Sequence, residues 1–130
     1  MIAVDTNILA RLLLRDDEAQ YLKAVHLFDD GRDYTAPPTV ILELVWVLGS
    51  YGIERDEIAA SLRALLGLPN FKPNRIEEIA AAIGYYESGL DFGDALHLAM
   101  SDGEDAFLTF DGRFVKRAGE LRVAPPVQAL

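Results

Sequence analysis

Ile2-Ala3-Val4-Asp5-Thr6-Asn7-Ile8-Leu9-Ala10-Arg11-Leu12-Leu13 joins a short apolar run to an acidic turn and then to apolar residues at helical spacing. Ile2 to Val4 read as a strand, Asp5-Thr6-Asn7 stops it, and Ile8, Leu9, Leu12 and Leu13 mark one face of a helix. A related pattern returns near the other end, where the apolar run Ala106-Phe107-Leu108-Thr109 is interrupted by Asp111-Gly112. Short buried strands alternating with helices predict an α/β fold, a three-layer α/β/α sandwich with a small central parallel sheet. If the two strands are parallel neighbours, Asp5 and Asp111 emerge at the same sheet edge, where open α/β sheets place their ligands.

Between these ends the periodicity is mostly helical. A helix is expected from the acidic first turn Asp16-Asp17-Glu18, with Leu22, Val25 and Phe28 inward and Gly31 ending it. Tyr34-Thr35-Ala36 reads as a short strand, and Thr39 to about Tyr51 as a strongly apolar helix closed by Gly52. Ile58, Leu62, Leu65 and Leu66 place an amphipathic helix from about Glu54 to Leu66, closed by Gly67 and Pro69. Asn74 followed by Glu77 resembles a capping box for a helix that turns Ile76, Ile79, Ala80 and Ile83 inward and ends near Gly89. Asp91 is the expected N-cap of a helix to about Ser101, and Leu121-Arg122-Val123 a last short strand. No repeat or linker interrupts the 130 residues, so one domain over 1–130 is expected.

Composition narrows the chemistry. Hydrophobic residues make up 51% of the chain, ample for a single core. With no cysteine, any metal must be held by oxygen or imidazole. The apolar stretches are too short or interrupted to cross a bilayer and the start lacks a basic leader pattern, so a cytoplasmic protein is expected. The net charge of −9 opposes nucleic-acid binding unless cations are clustered. Arg113, Lys116 and Arg117 follow Asp111, and Arg11 and Arg15 stand one helical turn apart, so both groups are candidate contacts to phosphate.

Four acids are the candidates for chemistry, each with a structural alternative. Asp5 ends the first strand but is also a good N-cap, with Thr6 and Asn7 placed to orient it. Glu43 is the only charged side chain between Asp33 and Glu54, inside Val40-Ile41-Leu42-Glu43-Leu44-Val45-Trp46-Val47-Leu48. If that helix is buried, Glu43 needs a cation, either a metal or an arginine. Asp91 and Asp94 stand three apart at a helix start, which a cap and an acid in the first turn explain equally well. His97, one turn on, is open to three roles, as a ligand, a phosphate contact or a core histidine, and is read as the last. Asp111 ends a strand or opens a tight turn. Convergent carboxylates without a thiol or an obvious nucleophile suit hydrolysis of a phosphodiester assisted by Mg²⁺ or Mn²⁺. Asp5, Glu43, Asp94 and Asp111 would be catalytic residues and ligands, with Thr6, Asn7, Asp91 and Thr109 supporting.

Val4-Asp5-Thr6-Asn7-Ile8-Leu9, Glu43 in its apolar helix, Asp91-Phe92-Gly93-Asp94-Ala95-Leu96-His97-Leu98-Ala99 and Thr109-Phe110-Asp111-Gly112-Arg113-Phe114 resemble, in order and spacing, the motifs of PIN domains. The compact length is similar to the toxin subunits of VapBC-type toxin–antitoxin modules. That resemblance implies an RNA substrate, Mg²⁺ or Mn²⁺, a homodimer and an antitoxin partner that occupies the active groove. A haloacid-dehalogenase-like phosphatase also places an aspartate after its first strand. Its acid/base aspartate two residues on is replaced here by Asn7. A non-catalytic interaction module would use the same acids as caps and ion pairs.

Overall fold

Asp5 turns the chain between β1 (Ile2–Ala3) and α1 (Thr6–Leu14) in the computed structural model, which describes residues 1–130. The order continues with α2 (Glu18–Phe28), β2 (Tyr34–Thr35), α3 (Pro38–Ser50), α4 (Arg55–Leu66) and α5 (Ile76–Glu87). It ends with α6 (Phe92–Met100), β3 (Phe107–Thr109), α7 (Gly112–Leu121) and β4 (Val127–Ala129). The class is mixed α/β with small parallel sheets, as the alternation of short strands and helices requires. The parallel strands form two pairs instead of one central sheet. Ile2 lies opposite Tyr34 between β1 and β2, and Phe107 opposite Val127 between β3 and β4. The two strands that lead into Asp5 and Asp111 are therefore each paired with a different neighbour, β2 and β4.

The chain forms two compact units, Met1–Ile76 and Glu77–Leu130. In the first, Leu9 and Ala10 of α1 lie buried on the helix that meets α3, whose own buried positions are Ile41, Leu44, Val45 and Leu48. Those four recur at helical spacing, so α3 has an inward stripe and an outward one. Ile58, Leu62 and Leu65 bury the matching face of α4. Each fully buried side chain of this size contributes roughly 1.5–3 kcal/mol relative to exposure. In the second unit Ile79, Ala82, Ile83 and Tyr86 form the inward face of α5, and the Tyr86 ring meets Phe92 of α6 edge-on at 5.5 Å. Phe107 of β3 meets Phe114 of α7 at 5.7 Å.

Several expectations are corrected. Leu22 is 48% exposed, because α2 buries only Ala24 fully and turns Val25 and Phe28 half inward. Ile76 is exposed at the first residue of α5, one turn before the buried stripe begins, and Asn74 and Arg75 lie in the preceding turn. Leu121-Arg122-Val123 is not a strand. α7 runs through Leu121 and stops at Arg122, whose φ of 54° puts it in the left-handed region, and the last strand lies further on at Val127–Ala129.

A polar knot fixes β2. Asp30 accepts from Arg32 Nη2 at 2.6 Å and Nε at 2.9 Å, and from the hydroxyl of Tyr34, whose ring is fully buried beside Phe28. The Arg32 hydrogen bonds, then the Tyr34 one, hold the Asp30 carboxyl down at about 2 against an ordinary 3.8. A depressed folded pKa means the knot stabilises fully above 3.8 and loses that contribution as pH falls through about 2. Asp30→Asn is therefore expected to flatten the acid-side fall in stability over that window, measured by urea denaturation at stepped pH. An unchanged acid limb would refute the role given to the knot.

Candidate active site

Asp5, Asp91 and Asp111 each begin a helix, and each caps it with its carboxylate. Asp5 Oδ1 accepts from the amide of Thr6 at 2.6 Å. Asp91 Oδ2 accepts from the amide of Asp94 at 3.1 Å. Asp111 Oδ1 accepts from the amides of Arg113 and Phe114 at 3.0 and 3.2 Å. The Asp111 amide in turn donates to the hydroxyl of Thr109 at 3.0 Å, so Thr109 sets the direction in which the cap leaves the strand. The carboxylates satisfy otherwise unpaired donors at each helix start, and the amides give each carboxylate a defined orientation.

In the second unit three of the acids open onto one cavity. Asp91, Asp94 and Asp111 line one pocket of about 450 Å³, with Leu90 and Phe114 supplying apolar surface. Arg113, Lys116, Arg117 and Glu120 of α7 enter the same pocket. Their spacing of three, four and seven residues puts all four on one face of the helix, while Phe114 and Ala118 are buried on another. The only lysines and arginines after Arg75 are these three and Arg122, all on α7 or its cap. An acidic protein thus concentrates the positive charge of this unit beside its acid cluster.

The electrostatics of Asp94 match this crowding. Partial burial, then the charges of Asp91 and Asp111, push its carboxyl up from 3.8, and His97 opposes the rise. His97 is exposed, not a core residue as its place in an apolar helix suggested. It lies on the outward side of α6, whose buried positions are Phe92, Ala95, Leu96, Leu98 and Ala99.

The remaining candidates lie in the first unit. Asp5 is exposed, whereas Thr6 beside it is only 2% exposed and its hydroxyl has no hydrogen-bond partner. Glu43 is exposed, on the outward stripe of α3 with Thr39 and the 63% exposed Trp46. The expectation of a buried carboxylate fails because α3 is apolar all round in sequence but buried on one side only. Arg11 is bound by Asp16 at 2.7 and 2.8 Å and by Gln20 at 2.7 Å. Arg15 faces Glu18 at 3.4 Å and lies over the Tyr21 ring. Both arginines are occupied by acids next to them in sequence. Asn7 lines a separate cavity with Arg11, Gln20 and Lys23.

No three histidine, aspartate or glutamate side chains are gathered closely enough to form a ready metal cage. The donor chemistry nevertheless fits a hard divalent cation. All the donors are carboxylate oxygens, and Asp94 is destabilised in its charged form by burial and then by the charges of Asp91 and Asp111. Mg²⁺ characteristically keeps several waters and uses only one or two carboxylates.

The PIN domain family matches residues 2–120, and the chain belongs to that family. Members are typically nucleases that hydrolyse nucleic acid and generally depend on divalent metals such as Mg²⁺ or Mn²⁺. No curated protein matches the chain. No helix is long and apolar enough to cross a membrane.

Sequence reasoning missed α7 and with it Glu120 and the shared face of the cations. The signal was there: Asp111 as a cap, then Phe114, Ala118 and Leu121 at helical spacing. Two variants separate capping from charge at these acids. Asp111→Ala is expected to cost about 1 kcal/mol through the lost cap, measured by urea denaturation, while Asp111→Asn keeps most of that stability. Asp94→Asn is expected to raise the melting temperature of the metal-free protein, because it removes a charge that burial, Asp91 and Asp111 disfavour. A fall on that substitution would show that the Asp94 charge is not strained.

Proposed function

We propose that this protein is a divalent-metal-dependent endoribonuclease, with Asp5, Glu43, Asp94 and Asp111 as its catalytic acids. The observation that carries the reading is the pocket where Asp91, Asp94 and Asp111 share space with Arg113, Lys116 and Arg117. Family membership and the motif order support extending the acid set to Asp5 and Glu43, and support reading 1–130 as a single PIN domain.

Asp5, Glu43, Asp94 and Asp111 would hold Mg²⁺ or Mn²⁺, which supplies electrophilic activation of the phosphodiester and a water of lowered pKa. The cations of α7 bind the RNA backbone and offset the repulsion expected from a chain of net charge −9. Thr6 and Asn7 flank Asp5 and keep its carboxylate directed. Asp91 holds the first turn of α6 and so sets where Asp94 projects. Thr109 does the same for Asp111, which orients the attacking water. Water oxygen bonds to phosphorus as the phosphorus–oxygen bond to the neighbouring nucleoside breaks. Arg11 and Arg15 take part only by exchanging their acidic partners for phosphate.

The length and motif order resemble toxins of type II toxin–antitoxin pairs. On that basis the protein is a cytoplasmic toxin that acts as a homodimer and is held inactive by a cognate antitoxin. Purified protein incubated with mixed RNA is expected to cleave it with Mn²⁺ and to stop on chelation. Glu43→Gln is expected to lower the rate on the order of a hundredfold, the scale of a lost ligand or ligand-orienting group. Cleavage that survives both chelator and substitution would exclude the metal–carboxylate mechanism.

A further inference from the structure

Glu120 has no part in the chemistry above, yet it shares the pocket with the three cations of α7. Its Oε2 lies 3.4 Å from Nη1 of Arg117, one turn back, and both side chains are 51% exposed. No ion pair engages Arg113 or Lys116, so Glu120 neutralises one cation of the three. Arg117 is also guided from its other side. A Cβ at Gly89 would lie 3.5 Å from both Cζ and Nε of Arg117, so its guanidinium runs along bare backbone. The φ of +114° at Gly89 is one that side-chain-bearing residues rarely adopt, which keeps this ledge open.

The charge count of the pocket gives Glu120 a meaning. Asp91, Asp94, Asp111 and Glu120 stand against Arg113, Lys116 and Arg117, leaving one negative charge. Each divalent cation held there makes the pocket more positive by two charges and so more favourable to a phosphodiester. Without Glu120 the pocket would be one charge more positive with or without metal. We propose that Glu120 is a built-in competitor for RNA phosphate: it occupies Arg117 in the free protein and yields it to the backbone once metal has made the pocket more positive. Glu120 is a specificity-setting residue for the nuclease reading, on which this inference rests. It makes RNA binding conditional on metal and keeps product from being held tightly.

Binding, not turnover, tests this. A fluorescent single-stranded RNA with a cleavage-resistant phosphorothioate backbone is titrated with intact protein, with Mg²⁺ or with chelator. Glu120→Gln is expected to tighten binding about 3–5-fold in Mg²⁺, the scale of one surface ion pair, and to raise binding in chelator above that of the wild type. The gain should shrink at higher salt. In the Arg117→Gln background, Glu120→Gln should add little, because its effect passes through Arg117. Equal or weaker binding by Glu120→Gln overturns the proposal, as does a full gain in the Arg117→Gln background. If wild-type binding requires Mg²⁺ and falls on Lys116→Gln while Glu120→Gln changes nothing, only the competitor role is lost. If no variant binds RNA with or without Mg²⁺, the nuclease reading falls with it.

Discussion

A carboxylate has two oxygens, and a helix cap needs only one. Asp5 and Asp111 spend Oδ1 on the amides that open α1 and α7, and Asp91 spends Oδ2 on the start of α6. The second oxygen of each remains for other work. Capping and ligation, which look like rival explanations of an aspartate at a strand end, are compatible in one side chain. The rest of the arrangement depends on this. Each cap fixes where its helix starts, the start of α6 places Asp94, and the start of α7 determines which residues face the pocket.

α7 is where charge and fold meet. Its inward residues, Phe114 and Ala118, are ordinary core, and Phe114 rests near Phe107 of β3. Its outward face carries almost all the positive charge that follows Arg75. A protein of net charge −9 needs no basic surface if its cations share one helical face beside the site. The acids elsewhere then limit non-specific adhesion to nucleic acid, since long-range attraction scales with the whole charge and local attraction with the pocket.

Most elements were legible because their signals are local. Asp91 before Phe92 and Asp17 before Glu18 are caps written in adjacent residues, and α3 and α4 fall within a residue or two of their expected limits. Glu43 shows where this stops. An apolar sequence on every side of a helix suggests burial all round, but burial depends on how many neighbours surround it, which no window of sequence records. His97 failed for the same reason. Strand partners were also illegible: β1 and β3 each end in an acid, but pairing with β2 or β4 is a choice between distant segments. The candidate acids were found by residue type and order, whereas the pocket that unites Asp91, Asp94 and Asp111 with α7 needed coordinates.

The caps also make the placing of the carboxylates a property of the fold alone. In proteins whose ligands are ordered only by their ion, chelation removes the structure along with the metal. Here the backbone amides of Thr6, Asp94, Arg113 and Phe114 keep hold of their carboxylates whatever sits on the other oxygen. The direction of each carboxylate is thus written into the chain itself. Whatever these acids meet finds its oxygens already ordered.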